Sequence, residues 1–157
     1  MKKYVIGVGN YLMYDDSVGI RVANHLENCL NYHRAGIFFV DLSNRVFDLI
    51  SYCDNKTSHI VIVDTGRLGL DAGDYKVIRL EQARSSKKRL PKVSVDVHST
   101  DLFKVLDFAR TLYKELPIID LLIIEPKEIK LAEGISNDLA RKIDEYSKIA
   151  LAALERA

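Results

Sequence analysis

Three observations predict an α/β layered fold. Apolar runs of strand length alternate with segments of helical period along the chain. The most apolar of these runs, Ile60-Val61-Ile62-Val63, is β-branched throughout, as expected of a parallel strand covered on both faces. Sharp polar residues follow directly on the ends of several runs, and the carboxyl ends of strands are where open α/β sheets gather their sites.

The elements follow in order. Tyr4-Val5-Ile6-Gly7-Val8 reads as the first strand, and Val18, Val22, Leu26 and Leu30 recur every four residues as the buried stripe of the first helix. Ile37-Phe38-Phe39-Val40 is a second strand ending at Asp41, and Val46, Leu49, Ile50 and Cys53 suggest a short helix behind it. The third strand, Ile60 to Val63, stops at Asp64. After the turn Asp71-Ala72-Gly73-Asp74, the mixed apolar and basic run from Tyr75 to Leu80 fits an edge strand. Leu102, Val105, Leu106, Ala109 and Leu112 mark a long helix, with Ser99 or Thr100 as its cap and Pro117 helping to end it. Leu121 to Ile124 is the last strand, closed by Glu125-Pro126, and Leu139, Ile143, Tyr146, Ile149 and Leu154 line a terminal helix.

The chain has 157 residues, 48% of them hydrophobic, and 23 basic against 22 acidic side chains, which fits a single domain with its own core. The balanced charge argues against a nucleic-acid partner, and the basic cluster from Arg84 to Arg89 reads as a solvated loop. No apolar run approaches the roughly 20 residues needed to cross a bilayer, so no membrane partner is expected. Cys29 and Cys53 form no C-x-x-C pair and suggest core or boundary thiols in a reducing cytosol.

Chemistry concentrates in a few places. Gly7-Val8-Gly9-Asn10-Tyr11-Leu12 invites a dinucleotide-binding reading, but Leu12 stands where the third glycine of that fingerprint belongs, and Asp15-Asp16 would compete with a pyrophosphate for the helix end. Asp16, Asp64 and His98 fall in loops or at strand ends and would make a three-ligand metal set suited to nickel, zinc or iron. The same residues read also as helix caps, a strand-end turn and a loop histidine, the commoner roles of such residues, and their spacing alone leaves both readings open. His25, His33 and His59 read as ordinary, and no G-x-S-x-G elbow is present.

The segment from Ile6 to Arg21 resembles the opening motif of the hydrogenase maturation endopeptidases, G-x-G-N-x-L-x-x-D-[DE]-x-x-G. Three further blocks agree in order: Val63-Asp64 with Leu70-Asp71-Ala72-Gly73, then His98-Ser99-Thr100, then Glu125-Pro126 with Gly134-Ile135-Ser136. The resemblance implies a three-layer α/β/α sandwich with a five-stranded, mostly parallel sheet in the order 2-1-3-5-4, strand 4 antiparallel at an edge. It implies Asp16, Asp64 and His98 as nickel-binding and catalytic residues. Beside them an unligated carboxylate, Asp41 or Asp15, reads as a candidate general base, and Asn10 as a loop-ordering or oxyanion-binding amide. The resemblance further implies removal of the carboxy-terminal extension from a nickel-iron hydrogenase large-subunit precursor, the nickel arriving with that substrate and zinc or another divalent ion able to substitute. A non-catalytic nickel-site checkpoint is the competing class. The chain departs from the family where Leu42-Ser43-Asn44 follows Asp41 in place of the common Gly-Gly-Thr, and where Ile123 replaces a frequent glycine.

Overall fold

Side-chain alternation divides the apolar residues of the strands between the two faces of one sheet. In the computed structural model, which describes residues 1–80 and 99–156 with the side chains of Ser99 and Thr100 excepted, the strands are β1 (Lys2–Val8), β2 (Ile37–Ser43), β3 (Thr57–Thr65), β4 (Tyr75–Arg79) and β5 (Ile118–Ile124). They form a sheet in the order β2-β1-β3-β5-β4. Neighbours are parallel except β4, which runs antiparallel to β5 at the edge. The edge position expected for Tyr75 to Leu80 and the implied strand order are both as observed.

Ile6, Val8, Ile60, Ile62, Ile119, Leu121 and Ile123 face one side of the sheet. There they pack against α2 (Ser99–Leu112) and the 3-10 turns at Val46–Tyr52. Val5, Val61, Val63, Leu122 and Ile124 face the other side, where α1 (Val18–Asn28), α3 (Asn137–Ala140) and α4 (Ile143–Glu155) cover them. Burial of each large side chain in these two layers stabilises the fold by about 1.5–3 kcal/mol.

Several boundaries differ from the sequence reading. The first helix ends at Asn28, since the chain must turn there to enter β2; Leu30, expected in the buried stripe, lies in a short 3-10 turn and is 81% exposed. The expected helix behind β2 is 3-10 in its hydrogen bonding. Leu139 belongs to the separate helix α3, and α2 ends at Leu112, so Pro117 precedes β5 instead of stopping a helix. β5 begins at Ile118 and therefore contains the buried Asp120; β3 begins at Thr57 and contains His59, which periodicity had put outside it. The basic cluster Arg84 to Arg89 and His98 lie outside the described residues.

Candidate active site

β1 is followed by a crossover to β2 on one side and β3 on the other, so the carboxyl ends of β1 and β3 flank the switch point of the sheet. Glycines set the geometry there. A Cβ on Gly7 would lie 2.2 Å from the Gly19 carbonyl oxygen, and one on Gly19 would lie 2.2 Å from that of Val63. Only hydrogen at both positions lets the first turn of α1 settle against β1 and β3. Gly9 has φ of 150°, and a Cβ there would meet the Asp16 carbonyl oxygen at 2.0 Å. The spacing of the glycines thus fixes where the 10–17 loop passes and where Asp16 arrives.

Asp16, 2% exposed, accepts a hydrogen bond from the Asn10 amide at Oδ2 (2.9 Å) and from the Thr65 hydroxyl at Oδ1 (2.7 Å). Asp64, 6% exposed, accepts the Thr65 amide at Oδ1 (2.8 Å). One residue therefore touches both carboxylates. Both carboxylates are buried, Asp16 in the 3-10 turn Tyr14–Ser17 that precedes α1 and Asp64 near the end of β3. Asn10 Oδ1 accepts the Leu12 amide at 3.0 Å, which orders the loop. Because the Asn10 amide already bonds a carboxylate, it is not presented to a pyrophosphate, and the dinucleotide reading has no cradle here.

Asp15 is fully buried and accepts four hydrogen bonds, from the amide and hydroxyl of Ser136 and from the amides of Lys127 and Glu128. Its carboxylate is committed to fastening the 127–136 loop beside the 10–17 loop, a link continued by the Met13–Ala132 bridge. Asp41 is half-buried; its Oδ1 accepts the Ser43 amide and hydroxyl, each at 2.8 Å. The Gly9 amide donates to the Ser43 carbonyl at 2.9 Å, so the end of β2 adjoins the Asn10 loop.

Three residues with no site role in the sequence reading shape this crevice. Thr65 links the two carboxylates, Ser136 meets Asp15, and the buried Glu125 accepts the amides of Leu68 and Leu70 through Oε1, which shapes the loop after β3. No local signal marks Thr65, whose partner Asp16 lies 49 residues away. Ser136, 121 residues from its partner, and Glu125 were legible only as parts of motif blocks. Among the described residues no three His, Cys, Asp or Glu side chains are grouped to hold a metal ion. The structure brings Asp16 and Asp64 together as hard oxygen donors of the type a divalent ion accepts, while the third expected ligand, His98, lies outside the described residues.

Two buried carboxylates beside Thr65 at the switch point of a five-stranded sheet define the class as a three-layer α/β/α domain with an acidic crevice. The family model for hydrogenase maturation protease (HycI) matches residues 20–153, and the chain belongs to that family of peptide hydrolases. Its fold is similar to the hydrogenase maturating endopeptidase HybD from E. coli (TM-score 0.78, 23% identity, 99% of this chain and 93% of that one). It is similar also to the hydrogenase 2 maturation peptidase from a Thaumarchaeota archaeon (TM-score 0.72, 20% identity, 100% of both chains). The NiFe hydrogenase maturation protease HycI from Thermococcus kodakarensis aligns with a TM-score of 0.65 at 14% identity, over 99% of this chain and 93% of that one. A comparison with curated proteins by sequence gave no match. No helix among the described residues is long and apolar enough to cross a membrane.

Proposed function

We propose that this protease removes the carboxy-terminal extension of a nickel-iron hydrogenase large-subunit precursor after nickel has been inserted, in the cytoplasm. The observation that carries the reading is the convergence of Asp16 and Asp64 on Thr65 at the switch point of the sheet. Asp16, Asp64 and His98 engage the nickel of the loaded precursor, with zinc or another divalent ion as a substitute. Two carboxylates and one imidazole leave coordination positions for donors of the substrate, so the metal is shared between substrate and enzyme.

Hydrolysis of a peptide bond requires a polarised carbonyl, a positioned water and a proton for the leaving amine. The metal supplies a Lewis acid beside the scissile bond. Asp41 is the general base in this scheme: its carboxylate is half-buried, whereas that of Asp15 is fully buried and holds four donors. Asn10 keeps the loop ordered through its own side chain and holds Asp16 through its amide. Cleavage then depends on prior nickel insertion, because an empty precursor offers no metal for the crevice to recognise.

The test incubates metal-stripped protein with nickel-loaded and nickel-free precursor and follows the released tail by mass. Cleavage of the loaded form alone is expected. Equal cleavage of both removes the nickel requirement, and binding of the loaded precursor without any mass loss leaves a checkpoint role in its place.

A further inference from the structure

Thr65 lies at the last position of β3, 4% exposed, and no motif draws attention to it. Its hydroxyl donates to Asp16 Oδ1 at 2.7 Å while its amide donates to Asp64 Oδ1 at 2.8 Å. Two carboxylates gathered at one residue repel and tend to turn away from each other. The two donors of Thr65, one to each carboxylate, hold them against that tendency. We propose that Thr65 is a positioning residue of the crevice, aiming the Asp16 carboxylate with its hydroxyl while its amide anchors Asp64, so that both face a divalent ion together. The inference rests on the reading of these two aspartates as metal-binding.

The chemistry suits the task. A β-branched side chain is stiff at χ1, so the hydroxyl of a threonine at a buried strand end is directed in advance. The strand fixes the rest: Thr65 pairs with Ile124 of β5, and the Gly66 amide donates to the Ile124 carbonyl at 3.1 Å, which pins the backbone on both sides of the donor. Asp16 is approached from its other oxygen by the Asn10 amide, so its plane is set from two directions. Groups that orient a ligand in this way commonly change metal affinity or activity by about 10–100-fold when removed.

The experiment compares wild type with Thr65→Val, which keeps the branched shape and removes the donor, and Thr65→Ser, which keeps the donor. Ni2+ is titrated calorimetrically into each metal-stripped full-length protein, and kcat and KM are measured with nickel-loaded precursor. Thr65→Val is expected to weaken Ni2+ binding about 10–100-fold and to lower kcat/KM by a similar factor, with Thr65→Ser close to wild type. Thermal melting accompanies each variant, and Thr65→Ala, smaller and free of steric demand, replaces Thr65→Val if that protein does not fold. Unchanged Ni2+ affinity in Thr65→Val and Thr65→Ala, or an equal loss in Thr65→Ser, overturns the proposal while wild-type binding and cleavage keep the site. A wild-type protein that neither binds Ni2+ nor cleaves the precursor overturns the reading of the site itself.

Discussion

Asp15 and Ser136 are joined twice, the Ser136 amide to Oδ1 at 2.7 Å and its hydroxyl to Oδ2 at 2.8 Å, tying together segments 121 residues apart in sequence. Asp15→Asn replaces an acceptor oxygen by an NH2 that faces donors. Because the group is fully buried, the mismatch is expected to cost about 3 kcal/mol, seen as a lower urea midpoint. Asp15→Glu keeps the charge and strains the loop, so a protein destabilised less than Asp15→Asn is expected. A wild-type midpoint in Asp15→Asn would show that the four hydrogen bonds contribute little.

Gly19 is closed to any side chain. An added methyl would stand 2.2 Å from the Val63 carbonyl oxygen and 2.6 Å from that of Val8, both backbone atoms held in the sheet. Gly19→Ala must therefore displace the head of α1, and a loss of about 3 kcal/mol or more is expected, at the upper end of overpacking costs. Since Asp16 lies three residues before Gly19, processing should fall even where the variant folds. Wild-type melting and turnover in Gly19→Ala would contradict this account.

At the other end of the sheet the buried pair His59 and Asp120 joins the half-buried Arg79 in one polar group. The His59 Nε2 to Asp120 Oδ2 distance is 2.7 Å, and Arg79 Nε donates to Asp120 Oδ1 at 3.0 Å. Burial by itself would push the Asp120 carboxyl up, but the hydrogen bonds from His59 and Arg79 and the charge of Arg79 outweigh it and hold it below the usual carboxylate range. A carboxyl depressed in the folded state contributes stability that is fully present above its unfolded pKa, about 3.9, and is lost as pH falls below that value toward the folded one. Urea unfolding measured from pH 6 downward should show wild type losing stability below about pH 4 more steeply than Asp120→Asn, which is itself expected to be about 3 kcal/mol less stable at pH 6. Parallel curves for the two proteins would rule out this linkage.

Asp64→Asn and His98→Ala should separate chemistry from folding. Asn keeps an acceptor for the Thr65 amide, so a stability change within about 1 kcal/mol is expected alongside loss of precursor processing. His98→Ala is expected to lose processing as well. Normal cleavage by either folded variant, followed by mass of the released tail, would remove that residue from the proposed set.

Much of this architecture was legible before any coordinates. Alternation along β1 and β3 follows from a period of two residues, and the four-residue stripe of Val18, Val22 and Leu26 places α1 on one face of the sheet. Boundaries were less so. Leu30 continues the stripe numerically, yet the chain has to turn into β2, and connection overrides periodicity there. The glycine pattern announced a tight loop after β1; that Gly7 and Gly19 meet across a helix–sheet contact was visible only in space.

The sequence by itself determined the layered α/β class, the edge position of β4 and the run of glycines and aspartates that opens the crevice, because local periodicity and short-range sterics are written in neighbouring residues. Which partners each aspartate meets was decided by the tertiary structure. Asp15 and Asp16 are adjacent and chemically identical, but one is surrounded by the amides of Lys127, Glu128 and Ser136 and the other meets Thr65 beside Asp64. Those partners come from distant parts of the chain, and a carboxylate takes its role from the donors and charges that folding places around it.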